Sequence, residues 1–114
     1  MENIAERIEH EVGSWEGVTT HQHRYGGVEF RLGHRELGHL HGARWVDLRF
    51  QKAVRDMLVE TGRAQPHHVL PDTGWVSKHI RTDEDLADAI ELFRLSYERA
   101  MVARNVREGT ISER

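Results

Sequence analysis

The 114-residue sequence predicts a two-layer α+β domain: an antiparallel sheet of four or five strands with helices on one face, in the order α-β-β-β-β-α-β-α. Three observations predict it. Apolar residues recur at helical spacing near both ends of the chain, period-two alternation runs through the middle, and short glycine turns join the alternating runs into a meander. A chain of this length holds one domain, assigned to residues 1–104, with 105–114 as a charged, frayed tail. Such a domain buries roughly two-thirds of its unfolded surface, enough for one core without staples.

Ile4, Ile8, Val12 and Trp15 with acids between them make residues 2–13 an amphipathic helix, ended by Gly13 and Ser14. Alternation starts at Val18. After a Tyr25-Gly26-Gly27 turn it is faultless over Val28, Glu29, Phe30, Arg31 and Leu32. In the next run, Arg35 to His41, Leu37 and Leu40 fall on opposite parity, so either a bulge near Gly38 corrects the register or both faces are covered. Val46, Leu48 and Phe50 then point one way, and Trp45, Asp47 and Arg49 the other. Ala53, Val54, Met57 and Leu58 form a helical stripe over 51–61, with Gly62 at the C-cap position. Residues 63–74 hold both prolines and an Asp-Thr-Gly turn and read as a long loop. Trp75 to Ile80 is the last strand. Thr82 with acids behind it caps a helix that runs through Phe93 and Tyr97 to about Ala103.

Charge is uneven beneath a net −3: residues 1–23 carry −4, residues 24–81 carry +4 with six histidines, and residues 82–114 carry −3. A basic, imidazole-rich middle favours an anionic ligand through its local potential. The absence of cysteine excludes disulfides, thiolate zinc sites, iron–sulfur clusters and a cysteine nucleophile. The acidic start does not read as a secretory leader and no stretch reaches the length of a membrane span, so the expectation is a cytoplasmic protein with no membrane partner.

The words GGVEFRLGHRELGHLHG, HHVLPDTGWVSKHI and SYERA resemble the small bacterial proteins of the luciferase-domain family, over about residues 17–100. More distantly, the element order and the tryptophan strand before the last helix resemble the MmcQ/YjbR-like, CyaY-related fold. The resemblance implies a fold and no light emission, because flavin-dependent luciferase barrels need about 250 residues. From the second resemblance, DNA binding through wing-like hairpins carries over only as analogy.

His39 and His41 are one residue apart on a predicted strand, so both imidazoles leave one face and can converge on a divalent metal, the one cofactor the sequence suggests. A third ligand would come from Glu29, His23 or His79. His21, His23 and Glu29 approximate a cupin-like set, one residue too long and in a chain with too few strands for a jelly roll. Against these stands the plain alternative of histidines hydrogen-bonded to backbone. Ser77, His79 and Asp47 or Asp72 supply the residue types of a hydrolytic triad without a nucleophile elbow. Glu29 and Glu36 facing each other across a hairpin are a candidate carboxylate pair, against which stands solvation or cross-strand pairing with Arg31 and Arg35. Lys78 shares the parity of Val76 and Ile80, so it snorkels to an edge or the strand is reversed.

Three functions follow. The first is a non-catalytic or regulatory module that binds an anionic small molecule or an acidic protein surface on the bare sheet face, under the 67–74 loop. Its residues are Glu29, Arg31, His39, His41, Trp45, Arg49, His68, Trp75 and His79. The second is a small metal-assisted or histidine-based enzyme at the same place, using His39 and His41. The third, least favoured, is a nucleic-acid module reading phosphate with the basic segment. A homodimer is the alternative cover for the bare face.

Overall fold

The computed structural model of the protein describes residues 3–22 and 26–109. Helix α1 (Ile4–Gly13) is followed by strands β1 (Val18–Gln22), β2 (Val28–Leu32), β3 (Arg35–His41) and β4 (Trp45–Arg49). Helix α2 (Lys52–Glu60), strands β5 (Gln65–Pro66) and β6 (Trp75–His79) and helix α3 (Asp83–Arg107) complete the chain. All neighbouring strands are antiparallel, in the order β1-β2-β3-β4-β6-β5. The α+β class and the element order match the sequence expectation with one added strand. β5 lies in the segment read as loop, because two residues hold no alternation to read and an edge strand accepts proline. α3 also runs past the expected end near Ala103, its last turn carrying Arg104 and Arg107 where the helix dipole favours cations.

α1 and α3 cover one face. Ile8 and Val12 of α1, Leu86, Ala89, Phe93 and Ala100 of α3, and Leu58 of α2 bury against Phe30, Leu32, Leu40, Val46, Leu48 and Val76 of the sheet. Phe30 and Phe93 meet edge to face at 5.2 Å and 72°, and each fully buried side chain of this kind stabilises the fold by about 1.5–3 kcal/mol. The parity conflict in β3 is resolved by a bulge. Phe30 pairs with Gly38 and Arg31 with Glu36, which leaves Leu37 between them as the extra residue. Its carbonyl accepts a hydrogen bond from the Ser96 hydroxyl of α3 at 3.0 Å. Leu37 and Leu40 thus both reach the core, and His39 and His41 both leave it.

Lys78 occupies a helix-side position opposite Val46 and snorkels to the edge, where its Nζ lies 3.5 Å from Asp85 Oδ1 and 3.8 Å from Asp88 Oδ2. Thr82 and Asp85 form a reciprocal capping box at the start of α3. Among the described residues no helix is long and apolar enough to cross a membrane.

Candidate metal and imidazole site

Alternation and antiparallel register together place one polar row across the whole sheet. His21, Glu29, His39, Asp47, Ser77 and Gln65 are successive cross-strand partners on β1, β2, β3, β4, β6 and β5. On β2, β3, β4 and β6 their strand neighbours fill the core, and cross-strand partners share a face, so all six point to the face without α1 and α3. In the middle of the row Asp47 is fully buried. Its Oδ1 accepts the Ser77 hydroxyl at 2.5 Å. Its Oδ2 faces three imidazoles: His41 Nε2 at 2.8 Å, His39 Nε2 at 3.2 Å and His67 Nε2 at 3.4 Å.

Each imidazole is held differently. The Nδ1 of His39 lies 2.6 Å from Glu36 Oε2. Burial opposes charge on this ring, but hydrogen bonding to Asp47 and Glu36 outweighs it and raises the pKa to about 9. Burial likewise opposes charge on Asp47, yet the bonds from His39 and Ser77 hold its carboxyl well below the usual range. His67 is the reverse case: burial dominates the Asp47 attraction and lowers its pKa. Its Nδ1 accepts the backbone N–H groups of Val69 and Leu70, both at 3.1 Å. The proton of the neutral ring therefore sits on Nε2 and points at Asp47, and His67 ties the 67–74 loop to the sheet.

Aromatic rings enclose the cluster. His41 stacks on Trp45 at 4.5 Å and 22° and meets His39 edge to face at 4.8 Å. Trp75 packs on His39 at 5.5 Å, and His68 stacks on His67 at 4.5 Å. Beside them a cleft of about 230 Å³ is lined by Trp45, Gln65, Pro66, His68, Ser77 and His79.

The structure gathers His39, His41, Trp45, His68, Trp75 and His79 of the expected site into one neighbourhood. Glu29 lies opposite His39, with a carboxylate that pairs with Arg31. Arg49 pairs with Trp75 in the register but its side chain is exposed toward Arg35, at the end of the sheet. Of the expected third metal ligands, Glu29 and His79 stay outside the groups whose donor atoms converge, and His23 lies outside the described residues. Asp47 takes that place. Its parity with Trp45 and its position one strand from His39 were the signals for it. His21 bonds to Thr19 Oγ1 at 2.8 Å and the single sheet is not a jelly roll, while His23 of the cupin-like set lies outside the described residues. The hydrolytic triad is not assembled either, because Ser77 gives its proton directly to Asp47 with no imidazole between them. Asp72 lies exposed in the loop.

These features define a small α+β domain with an imidazole–carboxylate cluster on the sheet face opposite its two terminal helices. A family model described as Luciferase domain matches residues 34–96, more than half of the chain, and the chain belongs to that family. The matched segment contains Glu36, His39, His41, Asp47, His67 and Ser77, and it leaves out β1 and β2 with the GGVEF word. Searches of curated proteins and of solved structures found no match.

Proposed function

We propose that this face is a divalent metal centre, with His39 and His41 ligating through Nε2 and Asp47 through Oδ2, and that the protein is a small metal-assisted enzyme. The convergence of those three donor atoms, all within 4.8 Å of one another, carries the reading. Ligands at 2.0–2.1 Å around a tetrahedral ion stand roughly 3.3 Å apart, and Asp47 Oδ2 is already 2.8 and 3.2 Å from the two imidazole nitrogens. Glu36 on the far nitrogen of His39 supplies the outer carboxylate that orients a ligating imidazole and raises its basicity. Ser77 fixes the other oxygen of Asp47. Two imidazoles and one carboxylate suit zinc, nickel or iron.

Three protein ligands leave a position open, the arrangement in which a metal polarises a bound group or activates water. The cleft lined by Trp45, His68, Ser77 and His79 adjoins it and offers aromatic walls to a small substrate. Glu29 is paired with Arg31 and Glu36 with His39, so the carboxylates of this face are already compensated, and a bound divalent ion would add the attraction for an anionic substrate.

Zinc titration of chelator-stripped protein by calorimetry tests the proposal, with cobalt(II) absorption as a report of tetrahedral geometry. Wild type is expected to bind about one ion per chain, and His41→Gln and Asp47→Asn to lose it while keeping their circular dichroism. A wild type that takes up none of zinc, nickel, cobalt or iron, or a folded His41→Gln that binds as wild type does, overturns the metal centre and leaves a proton-filled hydrogen-bond network.

A further inference from the structure

Away from the histidines, a second feature lies at the end of the sheet where β3 begins and β4 ends. A cleft of about 350 Å³ opens there between Arg35, Arg49, Phe50 and Gln51. α3 brings two more guanidinium groups to the same corner. Arg99 reaches in and donates to Gln51 Oε1 at 2.9 Å, and Arg107 and Arg99 both lie close enough to Arg35 to act on it electrostatically. Burial, followed by the charges of Arg49, Arg107 and Arg99, lowers the pKa of Arg35.

The neighbouring acids are committed elsewhere. Glu36 bonds to His39, Asp56 to Arg55 and Lys52, Glu98 to Arg94 and Glu108 to Arg104. The first turn of α2, directly after Gln51, carries no acid. Two of these like charges line the cleft and two more stand near enough to act on Arg35, so they repel one another, and a folded chain keeps that arrangement at a cost unless a counter-charge enters. Guanidinium groups present flat arrays of donors matched to phosphate or carboxylate oxygens.

We propose that Arg35, Arg49, Arg99 and Arg107 form a binding site for a small ligand with two or more adjacent phosphate-type charges, a pyrophosphate or a doubly phosphorylated metabolite. The cleft is far too small to follow a nucleic-acid strand, whereas its charge exceeds what a single carboxylate would neutralise. The site is independent of the metal centre: of its four arginines none takes part in the imidazole–carboxylate cluster.

The test is calorimetric titration of chelator-treated protein with inorganic pyrophosphate, and with inorganic phosphate for comparison. Pyrophosphate is expected to bind more tightly than phosphate, with an affinity that falls as salt rises. Arg49→Gln, an exposed position that leaves the fold intact, is expected to weaken it about tenfold, and Arg35→Gln with Arg49→Gln to abolish measurable binding. Arg49→Lys recovers only part, since a point charge replaces the planar fork. His41→Gln is expected to bind pyrophosphate as wild type does, which separates this site from the metal centre. Absent binding, equal binding by the double variant at unchanged thermal stability, or loss in His41→Gln overturns the proposal. So does a single-stranded oligonucleotide that binds more tightly than pyrophosphate and competes with it.

Discussion

The Ser77 hydroxyl donates to Asp47 Oδ1 at 2.5 Å from the adjacent strand, which leaves Oδ2 alone to face His39, His41 and His67. One carboxylate is thereby split between a structural role and a chemical one. Ser77→Ala leaves a buried carboxylate oxygen without its donor and is expected to cost about 1–3 kcal/mol, read as a lower urea midpoint at unchanged slope. Asp47→Ala removes the charge that the imidazoles surround and is expected to cost more, about 3–5 kcal/mol. A Ser77→Ala protein as stable as wild type would show that the bond contributes nothing.

Proton and metal compete for His39. Its pKa in the metal-free fold is raised to about 9, so zinc affinity is expected to climb as pH rises toward that value, by up to about tenfold per unit, and then to level off. In the metal-free protein the sign is opposite. A raised folded pKa stabilises fully below the unfolded value of about 6.5 and loses that contribution as pH rises through about 9. Thermal melts of the chelator-treated protein should therefore fall from pH 7 to 9.5, and the slope should flatten in His39→Gln.

Gly38 sits beside the bulge, where an added Cβ would lie 2.6 Å from the Asp47 carbonyl oxygen and 2.9 Å from the Phe93 ring. A methyl group there pushes β3 away from β4 and from α3 together. Gly38→Ala is expected to destabilise by about 1–3 kcal/mol or more and to weaken the metal site, which spans the same two strands. Denaturant melts and zinc titration of one preparation check both.

Lys78 is a half-buried strand residue of core parity whose ammonium reaches the half-buried carboxylate of Asp85 and the exposed one of Asp88. At 3.5 and 3.8 Å, with water still reaching both carboxylates, such pairs contribute about 0–1 kcal/mol, so Lys78→Met, which keeps the aliphatic stem, should change stability by less than about 1 kcal/mol. A loss several times larger would mean the ion pairs hold α3 on the sheet.

His67 bonds the Val69 and Leu70 amides through one nitrogen and faces Asp47 with the other. His67→Phe keeps the ring volume and deletes both links. Amide exchange at Val69 and Leu70 should then accelerate by tenfold or more, about the loss of one or two hydrogen bonds, while exchange in β3 and β4 is unchanged.

The fold class, the order of the helices and long strands, the Thr82 cap and the shared face of His39 and His41 were legible in the sequence, because spacing along one chain determines which side of a helix or strand a residue takes. Which residues meet across strands was not legible. Asp47 and Glu36 were read in other roles, and His67 as part of a loop, because the register that sets Asp47 beside His39 and the loop path that lowers His67 onto it depend on contacts between distant segments. The β3 bulge shows the division most plainly: the clash between Leu37 and Leu40 was visible in the chain, but only the packing of Ser96 and Phe93 against that strand decided that an extra residue, rather than a second covered face, resolves it. Local periodicity is a property of the chain. The convergence of three imidazoles on one carboxylate, and of four arginines on one corner, belongs to the packed sheet and its helices.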